Sequence, residues 1–210
     1  MTRKKIITRI SNEIGNQLFM YASTYAIAKK LKRSLILDDE SAFKSSKNIS
    51  RYALNNFKIT SEVANKKFKY LGFVGYMKRK LLKKIDFFKK KKNFFVEKKD
   101  KSKITNFNKE IYQLMLSDNL FIEGYFESEK YFLDIRNEIL NEFNFLRIKD
   151  FQNSPFYQDL IKENSISICF RQNRFVEGKK KNKDTRNYFK SENFSNEQIS
   201  YINTAINFFN

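Results

Sequence analysis

Residues 4–39 read KKIITRI-SNE-IGNQLFMYASTYAIAKKLKR-SLILDD, and their pattern decides the fold class. Lys4 to Ile10 is a short run rich in β-branched residues, which predicts a strand. Ser11-Asn12-Glu13 is a polar turn. Leu18, Tyr21, Ala22, Tyr25, Ala28 (or Lys29) and Leu31 then recur at spacings of three and four, the period of one helix face. Lys29, Lys30, Lys32 and Arg33 close that helix, where cations meet the negative end of its dipole. Ser34 to Leu37 reads as a second strand, ended by Asp38 and Asp39. Strand, tight turn, helix and strand in about 35 residues form a βαβ unit, and such a unit predicts a parallel α/β sheet.

The chain downstream is less sharply punctuated, with five Gly and a single Pro, Pro155, in 210 residues. Leu120 to Glu123 predicts another strand, and Phe132, Ile135, Ile139 and Phe143 predict one face of a helix after it. A turn at Asn153 to Pro155 is the candidate linker. Ser165 to Phe170 predicts a strand, residues 177–190 a polar loop, and Ser195 with Gln198 a capping box. The helix opened by that box would place Ile199, Ile202, Ile206 and Phe209 on one face. The expected organisation is an N-terminal parallel α/β domain over 1–152, with a lysine-rich insertion at 76–103, and the start of a second α/β unit over 163–210. Because the second α/β unit breaks off at Asn210, the chain reads as a fragment or truncated product.

Hydrophobic residues make up 41% of the chain and Phe occurs 23 times, which speaks for a folded core rather than disorder. The formal net charge is +19. Residues 76–103 hold thirteen basic and three acidic residues, so ten of those nineteen charges sit there. Phe87, Phe88, Phe94 and Phe95 interleave with the lysines. Such a stretch fits either an amphipathic face for an anionic membrane or a surface helix with one buried side. The excess as a whole has two readings, an anionic partner or the A/T-rich codons that Lys, Asn, Ile, Phe and Tyr share. No recognised RNA- or DNA-binding motif is present, so no specific nucleic-acid partner is expected.

Cys169 is the only cysteine, which excludes an intrachain disulfide and fits a reducing compartment. With no His, the commonest general base and metal ligand is missing, and the usual zinc patterns are excluded. The apolar run after the first lysines is too short for a signal peptide. A cytoplasmic protein, peripheral on the inner face of the membrane if the lysine-rich stretch meets lipid, is the expectation.

The turn after the first strand presents Gly15 and Asn16 at a helix start, where backbone N–H groups suit phosphates or sugar hydroxyls. Gly15 stands alone, without the G-x-G-x-x-G pattern, and Asn16 and Gln17 read equally well as helix caps. Arg171 follows an apolar run at the end of the expected strand Ser165 to Phe170, and a guanidinium there suits paired phosphate oxygens.

Four segments carry a family resemblance. Ile14-Gly15-Asn16-Gln17-Leu18-Phe19-Met20-Tyr21-Ala22 resembles the G-G-L-G-N-Q-L-F-Q-Y-A opening of the α-1,2-fucosyltransferases, glycosyltransferase family 11. Tyr52 to Ile59 resembles the family's Leu…Phe-x-Ile stretch, and Glu123 to Phe132 is similar to its G-Y-F-Q-S-E-K-Y-F segment. Ser167 to Val176 occupies the place of its H-V-R-R-G-D-Y-V motif. The resemblance implies a GT-B-like fold of two Rossmann-like domains, an acceptor-side one over 1–152 and the start of a donor-binding one over 163–210, so that this chain would span about the first two thirds of the fold. It implies GDP-fucose as donor substrate, a galactoside as acceptor, inverting transfer to the 2-hydroxyl, and no metal or other cofactor. Surface glycan synthesis is the expected setting.

By position in these motifs, Gly15 and Asn16 flank the donor pocket, Arg171 holds the donor diphosphate, and Tyr125 and Phe126 line the acceptor cleft. The aromatic pair reads equally well as core. The fourth segment departs from the family: its His is Cys169, its second Arg is Gln172, its Gly is Asn173 and its Asp is Arg174. The change of that Asp removes one candidate base for the acceptor hydroxyl, and Glu177 is the candidate substitute. Asn12 and Glu13 stand where the family has paired glycines. An inactive remnant of the enzyme and a basic binding module for membrane or nucleic acid are the alternatives.

Overall fold

The structure is a computed structural model that describes residues 4–43, 51–97, 107–162, 166–172, 175 and 185–209. It divides into two compact units, Met1–Asp150 and Phe151–Asn210.

The first unit is built on a five-stranded, wholly parallel sheet. Its strands are β1 (Lys5–Arg9), β2 (Ser34–Asp38), β3 (Glu62–Val63), β4 (Lys92–Val96) and β5 (Leu116–Glu123), in the order β3-β2-β1-β5-β4. Ile6 and Ile7 point to opposite faces of β1, yet each is almost wholly buried. Burial on both faces is what lets a parallel strand read as an unbroken apolar run. Helix α1 (Ile14–Lys30) crosses from β1 to β2 and packs with Ile6, Leu35, Leu37, Leu120, Ile122 and Phe95 in the main core. The opposite face holds the smaller cluster of Ile7, Ile36 and Ala64, with Phe68 and Phe121 against it.

α1 is buried further around its girth than its single expected stripe. Met20, Ser23, Thr24, Ala26 and Ile27 are buried as well as Tyr21, Ala22 and Ala28. The reason is an outer layer on the far side of the helix, made by Leu54, Ile111, Tyr131 and partly buried Phe143. Tyr21 donates to Glu142 Oε2 at 2.6 Å, and the same carboxylate accepts from the Thr60 N–H and hydroxyl at 2.7 Å each. Burial raises the Tyr21 phenol, and the bond to Glu142 adds to the shift.

Two expected elements take other forms. The lysine-rich 76–103 stretch is not one amphipathic helix. It contains most of α2 (Gly72–Phe87) and then β4, and it runs on into residues outside the described set. Asp86 ends the helix by accepting from the Asn93 and Phe94 N–H groups at 2.9 and 3.0 Å, which starts the strand. Phe95 is thereby drawn into the core, while Phe87 and Phe88 stay exposed. The helix expected over Phe132–Phe143 is shorter, α3 (Arg136–Glu142), and follows two 3-10 turns at Glu129–Tyr131 and Leu133–Ile135. No helix among the described residues is long and apolar enough to cross a membrane.

α4 (Ile148–Gln152) spans the division between the units. The second unit continues through α5 (Pro155–Lys162) and α6 (Thr185–Phe209). Residues 166–172 form no strand, contrary to expectation. They find no partner strand among the described residues, and Ile166 and Ile168 remain 62% and 51% exposed beside Tyr201 and Ile202 of α6. The capping box is also displaced. α6 opens ten residues earlier, so Ser195 lies inside it and donates back to the Ser191 carbonyl at 3.0 Å. Residues 185–190, expected as loop, are its first turns.

Candidate functional site

In an open parallel sheet the ligand crevice lies outside the carboxyl ends of the strands, where the strand order reverses. Here that point falls between β1 and β5. The segments leaving those two strands are joined to each other. Asn12 Nδ2 donates to the Tyr125 hydroxyl at 2.6 Å, across 113 residues of sequence, and Ser23 Oγ donates to the Phe126 carbonyl at 3.0 Å.

Behind this junction stands Glu97, just past β4 and buried. Its carboxylate accepts the N–H groups of Tyr125 at 2.8 Å and of Phe126 at 3.0 and 3.1 Å. That arrangement dictates Gly124. The backbone there has φ of +157°, and a Cβ would lie 2.4 Å from Glu97 Cβ. Phe126 itself has φ of 51° and is wholly buried, its ring 5.5 Å from Tyr131 and 6.3 Å from Phe95. The expected place of Phe126 in the acceptor cleft is therefore corrected: it is core. Tyr125 is half-buried with its hydroxyl at the crevice.

The helix start is the second part of the site. Asn16 and Gln17 both lie inside α1, so the expectation that they cap it gives way to Glu13 at the cap position, whose side chain makes no capping hydrogen bond. Asn16 is half-exposed. Gln17 is wholly buried and braces three backbone groups. It donates to the Asn12 and Arg51 carbonyls at 2.7 and 2.8 Å and accepts from the Ala53 N–H at 2.9 Å. Gly15 is exposed, and a Cβ there would meet nothing within 4 Å. Packing in the first unit does not require glycine at this position, and the residue leaves the first-turn N–H groups open to close approach.

The floor of the crevice was missed in the sequence. On the face opposite α1, the inward positions Ile7, Ile36 and Phe121 are followed two residues on by Arg9, Asp38 and Glu123. α2 adds Arg79 and Lys83 from above, with Arg79 Nη1 3.4 Å and Lys83 Nζ 2.9 Å from the Glu123 carboxylate. Arg79 is 8% exposed, and its Nη1 makes that ion pair but no hydrogen bond among the described residues. Arg9 Nε is also buried without a hydrogen-bond partner among the described residues, and Nη2 reaches the Ser41 carbonyl only at 3.5 Å. The Arg9 guanidinium is pushed below its ordinary value by burial first and then by Arg79, offset by Glu123, Asp38 and Tyr125. Buried N–H donors left unsatisfied are uncommon, and a guanidinium with free donors suits carboxylate, phosphate or hydroxyl oxygen. The period-two alternation of β1, carried one step past Ile7, was the available signal.

Gly15, Asn16 and Tyr125 thus belong to one region of the first unit. Arg171 belongs to the second unit, where it is exposed. Its backbone is pinned to α6, the N–H donating to Gln198 Oε1 at 3.2 Å and the carbonyl accepting from Gln198 Nε2 at 2.9 Å. Glu177 lies outside the described residues. A cavity of about 730 Å³ lies elsewhere, beside Lys29, Lys30, Lys109, Tyr112 and Lys130. It sits at the C-terminal end of α1, away from the carboxyl ends of the strands, so size alone does not mark the ligand site. No cluster of three carboxylate or thiol side chains among the described residues is placed to hold a metal ion. No protein-family model, curated protein or solved structure matches the chain.

Proposed function

We propose that the chain is a glycosyltransferase of the α-1,2-fucosyltransferase kind, with the first unit as the acceptor-side half of a GT-B arrangement. The observation that carries the proposal is a set of hydrogen bonds. Ile14–Ala22, the first segment of the resemblance, is tied to the second through Gln17 and Ala53, and to the start of the third through Asn12, just ahead of it, and Tyr125. Segments that resemble one family and lie far apart in sequence converge on one crevice at the carboxyl ends of the central strands, the region in which such folds bind ligands.

In the proposed reaction the 2-hydroxyl oxygen of a galactoside attacks the anomeric carbon of GDP-fucose. The bond from that carbon to the diphosphate oxygen breaks, and GDP departs with the electron pair. The configuration inverts, and the hydroxyl proton passes to a base, for which Glu177 is the candidate. Arg171 offsets the charge that grows on the leaving diphosphate. The open first turn at Gly15 and Asn16 faces donor groups, and Tyr125 faces the acceptor. No metal takes part.

GDP is the part of the donor with the most binding groups, so thermal unfolding in its presence tests the reading. A ligand that binds only the folded state raises the unfolding temperature by mass action. GDP is expected to raise it and UDP to leave it unchanged. Equal shifts with both nucleotides, or none with either, would overturn the proposal.

A further inference from the structure

α2 is amphipathic in the reversed sense. Its polar side is turned inward: Arg79 and Lys83 reach Glu123, and Asp86 reaches the start of β4. Its apolar side is turned outward. Phe73, Val74, Met77, Leu81, Ile85 and Phe88 at its end are exposed, from 44% at Ile85 to 87% at Phe88. At 100° per residue these six span an arc of roughly 120°, the width of a stripe that normally faces a core. No side chain among the described residues covers it.

The margins of the stripe are cationic. Lys80 borders one side and Lys78 the other, Lys84 lies just inside the Lys80 margin, and Lys89, Lys90 and Lys91 follow the helix end. The one acid of the helix, Asp86, is 4% exposed and spends its charge inside the protein. A second copy of the chain laid on this stripe would bring lysines against lysines. Nucleic acid would match the lysines but leave the aliphatic centre without a partner. An anionic lipid surface matches both, because headgroups meet the lysines while the stripe enters the acyl boundary.

We propose that α2 is an in-plane docking helix for membranes carrying anionic lipid, with Phe73, Met77, Leu81 and Phe88 as the inserted side chains. The proposal is independent of the reaction assigned above. It requires only the exposed helix, and neither result of the nucleotide experiment bears on it.

The chain has no Trp, so Phe73→Trp supplies a single fluorescent reporter at a site that is 78% exposed. Vesicles of mixed phosphatidylglycerol and phosphatidylcholine are expected to shift its emission to the blue, and pure phosphatidylcholine vesicles to leave it unchanged. In co-sedimentation of the full chain, the triple change Lys78→Glu, Lys80→Glu and Lys84→Glu is expected to weaken binding to the anionic vesicles on the order of 100-fold. The triple change Met77→Ser, Leu81→Ser and Phe88→Ser is expected to abolish the binding while the far-UV circular dichroism of the chain is retained. An unshifted tryptophan, equal binding to both vesicle types, or binding that survives either triple change would overturn the proposal. So would a dimer that the serine variant dissolves, or duplex DNA that competes the chain off the vesicles.

Discussion

At the residue scale, Gln17 and Tyr21 show how the motif-bearing segment does its structural work. Gln17 satisfies three backbone groups from inside the core. Gln17→Leu keeps the volume and strands all three, so a loss of about 2–4 kcal/mol is expected in urea unfolding. Tyr21→Phe removes one donor from the buried Glu142 carboxylate and should cost about 1.5–3 kcal/mol. Gly15 differs from both. With open space around it and no positive φ, Gly15→Ala should stabilise the fold by about 0.5–1 kcal/mol. A donor pressed against that backbone would bind the alanine variant less well. Higher stability with unchanged GDP affinity would remove Gly15 from the donor site.

At the element scale, what could be read in the sequence was whatever depended on neighbours in the chain. β1, α1, β2 and the end of β5 follow from local apolar periodicity, and they lie where that periodicity puts them. The elements that misled depended on distant partners. Ser165 to Phe170 has the composition of a strand, but strand formation needs a neighbour to pair with. Phe94 and Phe95 read as part of an amphipathic helix, yet Asp86 ends α2 and β5 recruits the segment into the sheet. Phe126 read as a cleft residue or as core with equal ease, and the complete burial of its ring beside Phe95, 31 residues away, and Tyr131 decides for core. Phe126→Ala should accordingly cost about 3–5 kcal/mol of stability. Arg9 and Arg79 were invisible as a pair because one lies on a strand and the other on a helix 70 residues on.

At the scale of the whole molecule, stability should fall at alkaline pH. The Tyr52 phenol is pushed up to about 12 by burial and the nearby Asp39 charge, and the Tyr112 phenol likewise by burial, Tyr131 and Asp134. Between the ordinary phenol value of about 10 and 12 the unfolded chain releases these protons while the folded chain retains them. The unfolded state then binds fewer protons, so stability is fully present below pH about 10 and is lost as pH rises toward 12. A flat urea midpoint across that range would contradict the burial of these two rings. The measurement that tests the central claim most directly is a calorimetric titration of GDP into the chain and into its Arg171→Ala variant. The account predicts measurable binding by the parent and affinity at least about tenfold weaker in the variant, the loss expected for a charge-assisted contact to phosphate. Equal affinities, or no GDP binding by the parent, would contradict it.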